Sequence, residues 1–387
     1  MRNLSINKII AIIFSICIFT IAFISDYKIM NFYINNEIDY NEWNAETDSK
    51  FETDYISNLW LKYHYVNLNG AMREVLGQHQ MNGVIKLNNG YLSQSTSYID
   101  DDIIESDVER TKRFREVLSE KGIDYIWFTL PYVVDRYDTQ LPLGAEDDFG
   151  NDNLDRLTKL LREGEVEVVD LREIIYNQGL ETYDLFYRTD HHWTTKGGFW
   201  AYNQIVDYIE KRYNVEADTQ VRNIDNYNVV TYKEWHLGSR GQRTGKYYAG
   251  IDDFDLITPK FDTYIQVYGT EKGGSLTDVM FNMMPLQKND YMSRYTYDYV
   301  LNGTCGYWHN PNASVDMKVM IIGDSMVKAV MPYLALTFTD VAYGAYCADT
   351  TSVTSELINN YQPDVVISLN YVTNIAESAF VWEIIDE

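Results

Sequence analysis

The stretch Lys318-Val319-Met320-Ile321-Ile322-Gly323-Asp324-Ser325 decides the fold. Its short apolar run, closed by a glycine, has the pattern of a strand buried on both faces. Beyond the Gly-Asp turn, the residues from Met326 to Leu336 read as a helix, with Pro332 expected to kink it or shorten its first segment. A strand that passes through Gly-Asp-Ser into a helix belongs to an α/β sheet. Ser325 then sits at the carboxyl end of the strand, where such sheets collect their ligands. Free N–H groups at the start of the helix can stabilise an oxyanion. The same serine can equally be a plain helix N-cap.

Working outward, Tyr125–Leu130, Val166–Val169 and Asp364–Leu369 are further apolar runs of strand length. Between them, 102–121 is amphipathic and stops at Gly122, and Leu154–Leu161 is helical and stops near Gly164. Thr194 or Thr195 can cap a helix through Trp200, Ile205 and Tyr208. Strands alternating with helices predict a mostly parallel sheet flanked by helices on both faces. Asn89-Gly90, between Val84 and Leu92, predicts a hairpin. Residues 215–315 break the pattern and read as an insertion of loops and short strands.

Thr189-Asp190-His191-His192-Trp193 supplies what Ser325 lacks, because a serine hydroxyl needs a base to become a nucleophile. On an extended segment, Asp190 and His192 point to the same side, so the carboxylate can hold one ring nitrogen while the other faces the serine. His191 is then expected to point the opposite way. A metal site on Asp190, His191 and His192 is disfavoured by that geometry, and no spaced ligand motif is present, so neither metal nor cofactor is expected. Polar capping of the following helix is the plain alternative.

Thr-Asp-His-His-Trp-Thr before a helix, with a later strand-Gly-Asp-Ser-helix, resembles the DHHW proteins. These are relatives of the alginate O-acetyltransferases AlgJ and AlgX within the SGNH-hydrolase-like superfamily. Val84–Leu92, Gly238–Gly245 and Met331–Leu336 fit the same resemblance, which spans about residues 80 to 375. In ordinary SGNH hydrolases the serine motif comes first; here the order is reversed, as in the alginate-acetylating branch. The resemblance implies Ser325 as nucleophile, His192 as general base and Asp190 as the residue orienting it. It also implies an acetyl-serine intermediate that passes its acetyl group to a sugar hydroxyl, with the donor delivered across the membrane by a membrane-bound O-acyltransferase. The chain departs from the family at Met326-Val327-Lys328 and at Gly344-Ala345-Tyr346. Asn370 is a candidate oxyanion donor and Arg240 a candidate substrate contact. Of the tryptophans at 193, 200, 235 and 308, Trp193 and Trp235 are candidate platforms for a sugar ring.

The N-terminus bounds where this chemistry takes place. Arg2 and Lys8 precede an uncharged run, Ile9–Ser25, of about 17 residues, or about 25 Å as helix. No small-residue cleavage site follows, so residues 1–25 read as an uncleaved signal anchor with the rest outside the cell membrane. Residues 26–79 read as a stalk and a helix, and 80–387 as the catalytic domain. Removing Arg2 and Lys8 from the formal −25 leaves −27 on the outer part, which excludes a nucleic-acid partner. Cys305 and Cys347 could pair in an oxidising compartment or remain thiols. The expected activity is therefore O-acetyl transfer to an exopolysaccharide. A polysaccharide acetylesterase with the same three residues, or an idle glycan-binding scaffold, remains open.

Overall fold

The computed structural model describes residues 6–35, 55–56, 59–267, 270–288, 305–345, 358–372 and 375. Its strands are β1 (Gln80–Met81), β2 (Val84–Lys86), β3 (Leu92–Ser93), β4 (Asp124–Thr129), β5 (Glu167–Asp170), β6 (Tyr227–His236), β7 (Asp252–Pro259), β8 (Ile265–Val267), β9 (Gly273–Gly274), β10 (Cys305–His309), β11 (Val315–Gly323), β12 (Phe338–Ala345) and β13 (Val365–Asn370). An eight-stranded sheet has the order β5-β4-β13-β11-β12-β10-β8-β9. From β5 to β12 the pairings are parallel. From β12 to β9 they are antiparallel.

Every residue of β13 is buried, as a central parallel strand covered on both faces requires. The covering helices include Asp101–Glu120, Gly150–Glu163 and Thr195–Tyr213. Ile104, Val108, Phe114 and Leu118 fall on the inner face of the first, and Asp101 and Asp102 in its first turn complement the helix dipole. Pro332 acts as its position predicts: a short 3-10 turn, Ser325–Ala329, ends before it, and the helix Met331–Thr337 begins around it. The hairpin at Asn89-Gly90 forms between β2 and β3, with Gly90 at a φ of 87°.

Several expectations need correction. The N-terminal helix runs from Ile6 to Asn35, so it continues into the segment read as stalk. Nothing between Asp26 and Asn35 stops it, since the stretch contains neither Gly nor Pro. Residues 215–315, read as an insertion of loops and short strands, join the main sheet in part. β8, β9 and β10 extend the main sheet, which is therefore mixed, while β6 and β7 form a long hairpin. The helix Lys62–Val75 packs on the body, where Asn67 accepts from the Lys246 N–H at 2.8 Å and Glu74 pairs with Lys86 at 2.6 Å. The pairing of Cys305 with Cys347 lies outside the described residues.

Candidate active site

Ser325 is set by the tightness of the sheet just before it. A Cβ on Gly323 would lie 2.1 Å from the Leu369 carbonyl oxygen, so the last position of β11 accepts only glycine. The chain then turns outward at Asp324, whose carboxylate fixes the turn twice. One oxygen accepts from the Met326 N–H at 2.9 Å, and the other accepts from the Tyr371 N–H at 2.7 Å, just past β13. Ser325 opens the 3-10 turn and is half-buried.

The segment 187–193 is a closed turn, not a strand. Tyr187 N–H donates to the His192 carbonyl at 3.0 Å, and Phe186 bridges Trp193. Thr189 pins the turn to the β6–β7 hairpin: its N–H and its hydroxyl both donate to Asp252 Oδ2, at 2.8 and 2.6 Å. It also accepts from the N–H groups of Gly238 and Gly241 on the helix Ser239–Thr244 and its approach.

Asp190 is fully buried within this turn. Its Oδ1 accepts from the His191 N–H at 2.7 Å, from the Ser239 hydroxyl at 3.0 Å and from His192 Nδ1 at 3.2 Å. Its Oδ2 accepts from His236 Nε2 at 3.1 Å. Burial alone would raise its pKa, but His192 and the hydrogen bonds from His191, His192 and His236 outweigh it and hold the carboxyl well below the usual range. Asp190 therefore stays ionised.

His192 completes the connection. Its Nε2 lies 2.6 Å from Ser325 Oγ, and it is itself buried. With Nδ1–H donating to the Asp190 carboxylate, Nε2 is left as the acceptor for the serine proton. Burial pushes the imidazole down to about 4, against the opposing pull of Asp190, so near neutrality it is an uncharged base.

His191 departs from expectation. Its ring lies 3.9 Å from that of His192, centroid to centroid, and its Nδ1 is 3.0 Å from Asp190 Oδ1. The opposite-side argument assumed an extended backbone; in a turn, adjacent side chains converge. Asp190, His191 and His192 each bring a ligand atom within 4.8 Å of the others. A cation could sit there only by displacing the hydrogen bonds that already occupy Asp190 and His192.

The remaining candidates separate. Trp193 is fully buried and donates from Nε1 to the Met326 carbonyl at 2.9 Å, so it braces the serine's turn and is not a sugar platform. Arg240, 5% exposed, donates to the carbonyls of Leu92 at 2.8 Å and Asp190 at 3.3 Å, holding the back of the turn. Trp235 lies on β6 against Tyr232, with ring centroids 5.1 Å apart, one residue from His236. Asn370 closes β13, 3% exposed, and neither of its amide atoms has a hydrogen bond among the described residues.

His236 and Ser239 escaped the sequence reading. No spacing relative to Asp190 marks them, because the β6–β7 hairpin and the short helix after β6 bring them in. A cleft of about 470 Å³ opens beside this cluster, lined by His191, Ser239, Arg240, Tyr132 and Tyr371 among others.

Residues 90–230 match the SGNH hydrolase-like domain of the acetyltransferase AlgX. The matched segment contains Asp190 and His192 and ends before Ser325. Among solved structures, Bacillus cereus PatB1 is similar at a TM-score of 0.62 and 18% identity, covering 77% of this chain and 98% of that one. PatB1 with a sulfonyl adduct gives 0.61 and 17%, over 78% and 98%. A DHHW family protein from Eubacterium siraeum DSM 15702 gives 0.56 and 16%, over 79% and 96%. No curated protein matches the sequence. The likeness is one of fold, and the fold is the SGNH-hydrolase-like α/β fold that the DHHW and Gly-Asp-Ser motifs suggest.

Proposed function

We propose that this chain is a membrane-anchored, outward-facing O-acetyltransferase that esterifies a polysaccharide hydroxyl through Ser325, His192 and Asp190. The observation that supports this most is the 2.6 Å contact between His192 Nε2 and Ser325 Oγ, backed by Asp190 at 3.2 Å from His192 Nδ1. In the first half-reaction, Ser325 Oγ attacks the acetyl carbonyl while His192 Nε2 takes the hydroxyl proton. The tetrahedral oxyanion is held by the Ser325 N–H, which has no acceptor within its own helical turn, and by the Asn370 amide. His192 returns the proton to the leaving group, and acetyl-serine remains. In the second half, His192 takes the proton of a sugar hydroxyl, which attacks the acetyl-serine. Collapse forms the new ester and restores the Ser325 hydroxyl. Asp190 keeps its negative charge throughout and stabilises the transient imidazolium.

Residues 1–35 act as the anchor in this reading. Lys8–Phe32 is long and apolar enough to cross a membrane, and among the described residues little covers it. Arg2 and Lys8 would remain inside. The acetyl donor would come from a membrane-bound O-acyltransferase, and residues 80–387 would form the catalytic domain. Because Ser325 is half-exposed, water can compete for the acetyl-serine, so acetylesterase activity is the second reading. An oligosaccharide acceptor separates the two, since only the transferase yields acetylated sugar. Ser325→Ala should lower turnover on an acetyl ester by roughly 10³–10⁶-fold. A variant that kept the wild-type rate would remove Ser325 from the mechanism.

A further inference from the structure

A second cleft, of about 320 Å³, opens on the same edge of the sheet. It lies at Pro131, two residues past the end of β4, and where β5 runs into the helix Leu171–Gln178. Along the sheet the order is β5-β4-β13-β11, so this cleft, Asn370 and Ser325 follow one another on one rim. Tyr132 lines both this cleft and the one beside His191, and so forms the wall between them.

Two tyrosines stand at its mouth. Tyr137 and Tyr176 are 58% and 62% exposed, with ring centroids 4.6 Å apart at 40°. The ring of Tyr137 is presented by a tight turn: Asp135 Oδ1 accepts from the N–H groups of Tyr137 and Asp138, at 2.6 and 2.8 Å. The Arg136 guanidinium covers the Tyr137 ring at 5.6 Å. Exposed rings, Tyr137 on a fixed turn and Tyr176 on the helix Leu171–Gln178, surrounded by hydrogen-bonding groups, suit the C–H face and hydroxyl edge of a pyranose. The charges narrow the choice. Arg136 is paired with Asp155 at 2.8 Å, and Arg172 with Asp170 at 2.7 Å and Asp155 at 2.9 Å. Asp138 and Glu181 line the same cleft and form no ion pair among the described residues. Its surplus charge is therefore negative, which repels a uronate.

We infer that the Tyr137/Tyr176 cleft is a saccharide subsite for an uncharged or amino-sugar residue of the acceptor chain. This rests on the polysaccharide reading above for its occupant and extends it by naming the class of sugar. The test uses the full chain in detergent with Ser325→Ala to prevent turnover, titrated calorimetrically with cellohexaose, a chitosan hexamer and hexamannuronate. Cellohexaose or the chitosan hexamer should bind, and adding Tyr137→Ala with Tyr176→Ala should weaken that binding about ten-fold or more. Tyr137→Phe with Tyr176→Phe, which keeps both rings, should preserve most of it. Both positions are exposed, and an unchanged melting temperature checks that the variants fold. No binding by any hexamer, preference for hexamannuronate, or binding indifferent to the alanine pair would each overturn the inference. Labelling of Ser325 by a sulfonyl fluoride in the wild-type chain reports the catalytic reading separately. A labelled Ser325 with tyrosine-independent binding sinks the subsite alone, while tyrosine-dependent binding with an unlabelled Ser325 sinks the catalytic reading alone.

Discussion

His192 can serve as a base near neutrality because its burial works against protonation. An ordinary imidazole is half-charged near pH 6.5, and this one is held down to about 4. The sign of the consequence follows. Below pH 6.5 the unfolded chain binds a proton at His192 that the folded chain refuses until about 4. The stability contributed by the neutral imidazole is complete above 6.5 and lost as pH falls towards 4. Activity should follow the same group: kcat/KM for a small acetyl ester should stay level through pH 6.5 and fall on an acidic limb with a midpoint near 4. A pH–rate profile with its acidic midpoint at 6.5 or higher would contradict this environment for His192. At this scale the convergence of Asp190, His192 and Ser325 was legible, since a nucleophile needs a base and a base needs an orienting carboxylate. His191 was misjudged because parity along a strand does not hold in a turn, and Trp193 because its exposure cannot be read from its type.

The element that organises the site is the clamp around Thr189 and Asp190, built from the β6–β7 hairpin and the helix Ser239–Thr244. Gly238 is where the clamp closes: a Cβ there would lie 2.4 Å from Asp190 Cβ and 2.6 Å from the Thr189 carbonyl oxygen. Gly238→Ala should therefore push the orienting carboxylate out of place. The expected cost is about 1–3 kcal/mol of stability, from overpacking, and a fall in esterase kcat larger than the loss of folded protein explains. Chemical denaturation together with kcat measured well below the melting temperature checks both parts. Strands such as β11 and β13 were legible because continuous apolar runs have few alternative readings. The clamp was not. β6 carries mostly exposed residues, so it does not show the period on which strand recognition depends. The hairpin's role appears only when His236 on β6 and Asp252 on β7 are seen to converge on the Thr189–Asp190 turn.

At the scale of the whole molecule, one long apolar helix precedes an acidic body. The most apolar 18-residue window of Lys8–Phe32 has a mean hydropathy of 2.5, whereas the helix Lys62–Val75 already packs against the body through Asn67 and Glu74. Deleting residues 1–35 should give a protein that remains in solution without detergent and hydrolyses a small acetyl ester at the rate of the full chain. Sedimentation with membranes after the deletion, or loss of that hydrolysis, would count against an anchor separate from the catalytic body. The N-terminal apolar helix was legible from Ile9–Ser25, but its extent was not, since Asp26 and Lys28 interrupt the apolar run without interrupting the helix. Everything proposed for the molecule depends on Ser325 being an activated nucleophile. The most direct measurement is intact-mass and peptide analysis after brief exposure of the full chain to a sulfonyl fluoride. The account predicts a single sulfonyl group on Ser325, absent from Ser325→Ala and formed far more slowly in His192→Ala. A native chain that stays unmodified, or carries the label on another residue at the same rate in Ser325→Ala, would contradict it.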